Sequence, residues 1–260
     1  MKARTLNTKT MRELRDDVRT AIAFLTWLPM AHPDAARPEG FARAQRLFPL
    51  VGAGIGAAIG LFCLLLRTIG VPDLAAAALA LGGGALLTGA LHEDGLADVA
   101  DGFGGGRDVA AKLEIMRDSR LGTYGALALV VSFATRLAAL AALPNGMVVQ
   151  CLISAHALGR GVLPWIAISL PYARKDGLAA NAGRPDGTIA VVAAGIALVI
   201  ALLALPFGSA LLAAIAAGAS ALIMALLAKR QIGGQTGDVL GGAEQVAETA
   251  ILVLLAARLG

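Results

Sequence analysis

Residues 47–66 have the sequence LFPLVGAGIGAAIGLFCLLL, in which no side chain is charged. An α-helix needs about twenty apolar residues to cross the hydrocarbon core of a bilayer. Within this run, the segment GAGIGAAIG at 52–60 is rich in glycine and alanine, and such small residues allow helices in lipid to pack closely. The stretch therefore predicts a membrane-spanning helix in a tightly packed bundle.

The rest of the chain repeats this pattern. Of its 260 residues, 57% are hydrophobic and only 15% are charged, and the mean hydropathy is +0.74. A soluble core of this length does not require so much apolar sequence. Composition therefore predicts an all-α fold, a polytopic integral membrane helical bundle formed by a single domain over residues 1–260. About seven spans are predicted, at residues 47–66, 74–91, 121–143, 147–171, 188–206, 207–228 and 241–259.

The N-terminal segment, residues 1–31, has a different character. It is basic at its start, but Glu13, Asp16 and Asp17 interrupt the positive charge, which does not fit a signal peptide. We predict that residues 11–31 form an amphipathic helix at the membrane surface, with Trp27 as an interfacial anchor.

Lysine and arginine are distributed unevenly between the predicted loops. With a cytoplasmic N-terminus and seven crossings, 18 of the 22 basic residues fall in cytoplasmic segments, whereas Arg67 and Arg258 fall outside. The positive-inside rule favours this orientation. It predicts that residues 92–120, the RKDGLAANAGRPDG loop at 174–187 and the KRQIGGQTGD segment at 229–238 share the cytoplasmic face.

An acidic cluster lies in the stretch HEDGLADVADGFGGG, residues 92–106. Asp94, Asp98 and Asp101 have the i, i+4, i+7 spacing that places three side chains on one helix face. Carboxylates about 5.5 Å apart would repel by roughly 3 kcal/mol per pair at an effective dielectric of about 20, unless cations intervene. Because oxygen-only ligands select hard divalent ions, we predict Mg²⁺ here, with Mn²⁺ also possible.

Glycine and basic residues accompany this cluster. In KLEIMRDSRLGTYG, residues 112–125, Glu114 and Asp118 repeat the i, i+4 carboxylate spacing. Glycines let the backbone approach a bulky anion, and Lys or Arg supplies positive charge for it. A metal-bridged diphosphate is therefore predicted near Gly102, Gly104, Gly105, Gly106, Arg107, Lys112, Arg117 and Arg120. The alternative is a solvated connector with a glycine helix terminator.

A second polar motif is GGQTGDVLGGAEQVAE, residues 233–248. Its glycines and the start of a helix offer backbone N–H groups that favour phosphate or the polar edge of a nucleotide, and Asp238 could join the metal shell. We expect Asp238 and Glu244 to converge on the acidic cluster in one cytoplasm-facing cavity, although helix capping is an alternative for this motif.

Other charged residues fall within the predicted spans. Glu244 and Glu248 are i, i+4 on an apolar helix, and such residues by default face the protein interior and mark a functional path. His156, Arg160 and Arg136 could be interhelical partners of a buried glutamate or could contact a ligand.

Three of these segments together resemble the signatures of the cobalamin synthase family, the adenosylcobinamide-GDP ribazoletransferases of the bacterial inner membrane. They are HEDGLADVADGFGGG, LEIMRDSRLGTYG and GGQTGDVLGGAEQVAE, and the similarity extends to FLTWLP at 24–29 and FPLVGAGIG at 48–56. The resemblance implies a Mg²⁺-dependent transfer with a cytoplasm-facing site. In that reaction α-ribazole, or its phosphate, attacks adenosylcobinamide-GDP and expels GMP to give the cobamide. Glu93 departs from the family pattern, in which leucine is expected.

A weaker resemblance, to CDP-alcohol phosphotransferases, suggests individual roles. It rests on D-x-x-D-G at 98–102 and E-x-x-x-D at 114–118, but the Ala-Arg pair after the glycine is missing and glutamate replaces the third aspartate. The predicted metal ligands are Asp94, Asp98, Asp101, Glu114, Asp238 and Glu244. The predicted catalytic residues are Asp118, as the base, with Lys112 and Arg117. The predicted substrate-binding residues are Gly104, Gly105, Arg107, Arg120, Arg160, Gly234, Thr236 and Gly237.

Two other function classes stay open at this point. One is a CDP-alcohol phosphotransferase-like lipid headgroup transferase, which would not explain the motif at 233–248. The other is a cation-coupled transporter, in which the charged residues of the spans would line a path. The expected partners are the two substrates and the lipid bilayer, with no nucleic acid, and a homo-oligomer is possible.

Overall fold

The computed structural model describes residues 2–30, 38–174 and 183–260, with side chains from residue 11 onward, and these residues form an α-helical bundle. The helices are α1 Lys2–Leu25, α2 Pro38–Ala44, α3 Phe48–Thr68, α4 Asp73–Thr88, α5 Leu91–Gly105, α6 Val109–Ile115, α7 Thr123–Ala142, α8 Val148–Gly161, α9 Leu163–Ser169, α10 Gly187–Ala204, α11 Phe207–Ile232 and α12 Gly237–Leu259. A short 3₁₀ turn joins α2 to α3.

Six helical segments of the described chain are long and apolar enough to cross a membrane. They are Pro38–Thr68, Thr123–Ala142, Val148–Ser169, Gly187–Ala204, Phe207–Ile232 and Gly237–Leu259. Each matches a predicted span, so the prediction of a polytopic helical bundle is confirmed. The seventh predicted span, 74–91, reaches this length only when α4 and α5 are taken together, and these two helices meet at 91°.

The sharp bend between α4 and α5 comes from two consecutive left-handed residues. Gly89 has φ 64° and Ala90 has φ 53°. An alanine in this conformation costs about 1–2 kcal/mol. Gly89 also has to be small, because a Cβ there would collide with the indole of Trp27. The bend directs α5 away from the axis of α4. It cannot be predicted from the hydropathy of the sequence.

Helices α3 and α8 pack through the glycines of the segment at 52–60. A Cβ on Gly52, Gly56 or Gly60 would strike the backbone of α8, and for Gly60 the nearest atom is the Cα of Val149 at 2.8 Å. Backbones this close gain dispersion contacts that larger side chains would prevent. The prediction of tight glycine-mediated packing is therefore correct for this pair.

The interior of the bundle is formed by α8 and α12. Most of the Val148–Ser169 and Gly237–Leu259 segments is buried, whereas only about a quarter to a third of α7, α10 and α11 is buried. The exposed residues include large apolar side chains such as Val130, Leu203 and Ile223. An apolar exterior around a close-packed interior is what a bundle surrounded by lipid requires.

Helix α1 differs from its predicted extent. It runs from Lys2 to Leu25 rather than over 11–31. The helix ends there because the N–H of Trp27 donates to the carbonyl of Leu87 at 2.8 Å instead of continuing the helical pattern. The buried carboxylate of Asp17 holds α1 against the next segment by ion pairs to Arg43, at 2.8 Å, and Arg46, at 2.7 Å.

The two ends of the bundle differ in character. The far end is closed by Arg67, whose guanidinium donates to the carbonyls of Leu140 and Leu143 at 2.7 Å each and so caps α7. The opposite end, called the site end here, carries α5, α6 and the segments at 171–174 and 233–238. Most of the predicted cytoplasmic loop at 174–187 lies outside the described residues, as do Arg37 and Lys175.

Candidate active site

The acidic cluster is helical, as its spacing predicts. Asp94, Asp98 and Asp101 all lie on α5, where Asp94 is exposed and the other two are partly buried. Asp98 experiences the negative charges of Asp94, Asp238 and Asp101, and Arg174 supplies the opposing charge. Like charges at a partly buried position are unfavourable without a cation. This end of α5 is therefore electrostatically suited to bind one.

Asp101 has a structural task in addition to its place in the cluster. Its two carboxylate oxygens accept the N–H groups of Gly122 and Gly125, each at 2.8 Å. These N–H groups belong to the first turn of α7, where a helix leaves donors unsatisfied. Asp101 thus fixes α7 to α5, and each of its oxygens keeps a second lone pair available for a metal ion.

Asp238 reaches the cluster because α5 and α12 touch through glycine. A Cβ on Gly95 would lie 2.8 Å from the carbonyl oxygen of Asp238 and 3.1 Å from the Cα of Gly241. Only glycine permits this approach of two backbones. The expected convergence of the two motifs is therefore seen for Asp238. Its negative charge acts on Asp98, and Asp238 in turn is repelled by the negative charge of Asp94.

The GGQTGD segment is held by backbone contacts. The N–H of Gln235 donates to the carbonyl of Pro171 at 2.8 Å, and its carbonyl accepts from Ala173 at 2.9 Å. A Cβ on Gly234 would lie 2.8 Å from the amide nitrogen of Ala173. Thr236 caps α12 by accepting the N–H of Val239. The capping alternative thus accounts for part of the motif, while the binding roles of Gly234, Thr236 and Gly237 stay predictions.

The side chain of Asp238 has two partners. Its Oδ2 accepts from Thr236 at 3.1 Å and is 3.2 Å from a guanidinium nitrogen of Arg174. No sequence motif pointed to Arg174, which was predicted only to lie in a cytoplasmic loop. The contact of Gly95 with α12 was not predicted from the sequence either, although the Gly241–Gly242 pair within an apolar helix is typical of close packing.

Glu244 lies apart from the acidic cluster, in a buried network of charges between helices. Its carboxylate is bound by Arg160, lies 3.4 Å from His92 and accepts from Gln245 at 3.1 Å. One turn further, Glu248 pairs with His156 and Arg136 at 3.0 Å each. These contacts are those of interhelical partners, one of the two alternatives for Arg160 and Arg136.

Glu93 also belongs to this network. Its carboxylate lies 3.5 Å from Arg136. The departure from the family pattern at this position therefore adds an acidic partner for a buried arginine.

Among the residues that the structure describes, ligand atoms of His156, Glu244 and Glu248 lie within 4.8 Å of one another, but the arginines bound to both glutamates already supply the positive charge. The carboxylates of α5 and Asp238 are not gathered this closely. They offer oxygen only, with Arg174 as the opposing cation. Oxygen-only donors with excess negative charge fit Mg²⁺ better.

The predicted Glu114–Asp118 helix pair is wrong as local structure. Helix α6 ends at Ile115, and Asp118 lies in the turn that follows. The helix stops because Asp118 accepts the backbone N–H of Arg120 at 3.1 Å and pairs with its guanidinium, which stabilises a turn instead. This pairing lowers the pKa of the partly exposed Asp118 carboxyl and raises the pKa of Arg120. Glu114 is exposed on α6.

The glycine run beside α6 packs against the protein itself. Helix α5 continues through the run and ends at Gly105. A Cβ on Gly104 would lie 2.7 Å from the ring of Tyr124, and one on Gly102 would strike Met116. Close packing of the chain thus explains these two glycines, and substrate contact at Gly104 and Gly105 stays a prediction.

The basic side chains of this region occupy different settings. Lys112 donates to the side chain of Gln231, which joins α6 to the end of α11. Arg107, Arg117 and Arg120 are exposed at the site end. Their roles toward a substrate, and those of Lys112, are not decided by these contacts and stay predictions.

Comparison with known proteins bears on this arrangement. A family model described as cobalamin-5-phosphate synthase, CobS, matches residues 17–256. The chain belongs to the cobalamin-5-phosphate synthase family. The resemblance noted in the sequence is confirmed, and with it the prediction of an enzyme, because this is an enzyme family of cobalamin synthesis.

Relatives within the cobalamin-5-phosphate synthase family match over nearly their whole length. The adenosylcobinamide-GDP ribazoletransferase of Bradyrhizobium diazoefficiens is 46% identical, with 96% of each chain covered. That of Sinorhizobium medicae is 43% identical over 95% of this chain and 98% of its own, and that of Rhizobium etli is 44% identical over 94% and 97%. No solved structure matches the chain.

Proposed function

We propose that this chain catalyses the reaction after which its relatives are named. A hydroxyl oxygen of α-ribazole, or of its phosphate, bonds to the corrinoid-linked phosphorus of adenosylcobinamide-GDP. The bond from that phosphorus to the oxygen bridging the diphosphate breaks, GMP leaves with that oxygen, and the hydroxyl proton is released. The observation that carries the proposal is the meeting of the Asp94–Asp98 face of α5 with Asp238 of α12 in a family member.

These carboxylates are the proposed Mg²⁺ ligands. Asp94, Asp98 and Asp238 would hold the ion, with a second lone pair of Asp101 available, whereas Glu244 is already bound by Arg160. When bound, Mg²⁺ neutralises charge on the transferring phosphoryl group and its leaving group.

The remaining roles fall to side chains of the 107–120 segment. Asp118 is ionised at neutral pH, as an ordinary aspartate is, and Arg120 lowers its pKa further. It can accept a hydrogen bond from the attacking hydroxyl. The same lowered pKa makes it a weaker proton acceptor, so we propose that it orients the nucleophile. Lys112 and Arg117 would offset the negative charge of the diphosphate.

We propose that the site end faces the cytoplasm of a bacterial cell, with the bundle in the inner membrane. The support is the charge asymmetry between the two ends. The far end carries Arg67 and Arg258, while the described part of the site end carries Arg107, Lys112, Arg117, Arg120, Arg174, Arg184, Lys229 and Arg230. The positive-inside rule favours the cytoplasm for the second group.

The test is turnover by the purified protein in nanodiscs. Adenosylcobinamide-GDP, α-ribazole and Mg²⁺ are supplied, and GMP and the completed cobamide are measured by chromatography. The expected result is equal amounts of both products, absent when EDTA removes the metal and restored by Mg²⁺ or Mn²⁺. A folded preparation that forms neither product with either metal would contradict the proposal.

A further inference from the structure

Arg174 is held at the acidic cluster by the protein backbone. The carbonyls and N–H groups of Pro171, Ala173 and Gln235 pair in a short parallel bridge immediately before it. One guanidinium nitrogen, Nη2, donates to Asp238 at 3.2 Å, and the side chain is only 15% exposed. The guanidinium therefore has a defined position at the site.

A second guanidinium nitrogen of Arg174, Nη1, is buried but unused among the described residues. Among the residues that the structure describes, Nη1 donates to no acceptor. A buried donor is normally paired, and a ligand is one way in which such a group finds its acceptor. One side of the guanidinium fork is thus fixed by Asp238, and the other side is available.

The positive charge of Arg174 favours an anionic ligand once a metal ion offsets the carboxylates around it. Its positive charge acts on both Asp98 and Asp238, so it lies among the carboxylates that would bind the metal. A guanidinium in this position can contact phosphate oxygens at the point where a metal-bound diphosphate would sit. Its planar fork suits phosphate better than the point charge of a lysine does.

We propose that Arg174 binds the diphosphate of the nucleotide-bearing substrate, a role that rests on the proposed function. Nη1 donates to a diphosphate oxygen, and the ion pair with Asp238 orients the guanidinium for that contact. Arg174 thereby couples the segment at 171–174 to the start of α12. It adds a substrate contact to those predicted from the sequence motifs.

The test compares Arg174→Gln with Arg230→Gln, which removes one exposed positive charge from the same end of the bundle. Binding of adenosylcobinamide-GDP to each variant in nanodiscs is measured by equilibrium dialysis, and KM is measured for both substrates. For Arg174→Gln we expect Kd and KM for adenosylcobinamide-GDP to rise about 10- to 100-fold, as for loss of a charged hydrogen bond. KM for α-ribazole should stay within about twofold, and Arg230→Gln should resemble the wild type.

A purely structural role predicts a different outcome. It would lower the unfolding temperature or kcat without raising Kd for adenosylcobinamide-GDP, and that result would overturn the inference. If Arg174→Gln does not fold, Arg174→Lys serves instead. It keeps the charge near Asp238 and should weaken binding several-fold, because an ammonium does not reproduce the fork. Wild-type affinity in this folded variant would equally overturn the inference. Failure of the proposed function would appear separately, as no turnover by the wild type.

Discussion

The contact between Gly95 of α5 and Gly241 of α12 predicts the effect of adding one methyl group. In Gly95→Ala, the new Cβ would lie 2.8 Å from the carbonyl oxygen of Asp238, whereas ordinary contact begins at 3.4 Å. The obstacle is backbone and cannot rotate away. The two helices must therefore separate by about 0.6 Å, and this displacement moves Asp238 away from Asp98.

The expected loss follows from that displacement. A misplacement of about 1 Å in a catalytic site can cost about 100-fold in rate, so 0.6 Å is expected to cost at least about 10-fold. Overpacking destabilises by about 1–3 kcal/mol, but alanine is a better helix former than glycine by about 1 kcal/mol. The net change in unfolding free energy should therefore be about 0–2 kcal/mol, leaving the bundle folded.

The assay is GMP release in nanodiscs at several Mg²⁺ concentrations, together with thermal unfolding. Gly82→Ala in α4 is the matched control, because a Cβ at that position meets nothing within 4 Å. Gly95→Ala should lose rate and need more Mg²⁺, while Gly82→Ala should behave as the wild type. Full activity of Gly95→Ala at wild-type Mg²⁺ would refute the idea that this contact aligns the two motifs.

Three other predictions concern the site, the buried network and the orientation. Asp98→Asn should abolish GMP release, because it removes a proposed metal ligand. The unfolding temperature should stay nearly unchanged, because Asp98 has no buried partner among the described residues. Near-wild-type GMP release would favour the alternative that the cluster is a solvated surface. Arg160→Gln should destabilise the bundle by about 3–5 kcal/mol in thermal unfolding, because Glu244 loses its buried arginine and keeps only His92 and Gln245 as partners in the described part of the chain. The added change Glu244→Gln should recover part of the loss, and no recovery would count against the pair. A cysteine at Arg107 should react with impermeant maleimide only from the cytoplasm, and one at Gly146 only from the periplasm; the reverse pattern would invert the topology.

Much of the fold could be predicted from the sequence because it depends on local properties. The apolar length of segments such as 47–66 sets where helices can cross a bilayer, and the spacing of Asp94, Asp98 and Asp101 sets their shared face. Both are decided within a single helix. The six spans and the acidic face of α5 follow from that kind of information.

The features that could not be predicted depend on contacts between distant residues. The bend at Ala90 requires a left-handed alanine that no propensity favours. The turn at Asp118 depends on its own side chain outcompeting helix continuation. Arg174 meets Asp238 only because the chain pairs at Gln235, 61 residues further along. Neither the hydropathy of the sequence nor the spacing of its residues predicts which distant residues make these contacts.

The pairing of charges across α7, α8 and α12 bears on how the protein is assembled during synthesis. A charged side chain at the centre of a helix costs about 3 kcal/mol on insertion into a bilayer, and α12 carries two, Glu244 and Glu248. Its arginine partners, Arg136 and Arg160, lie on helices that precede it in the chain. We therefore expect α12 to integrate efficiently only beside α7 and α8. In a glycosylation-based insertion assay, α12 alone should insert poorly and should improve when the preceding helices carry their arginines. Equal insertion without those arginines would contradict this order of assembly.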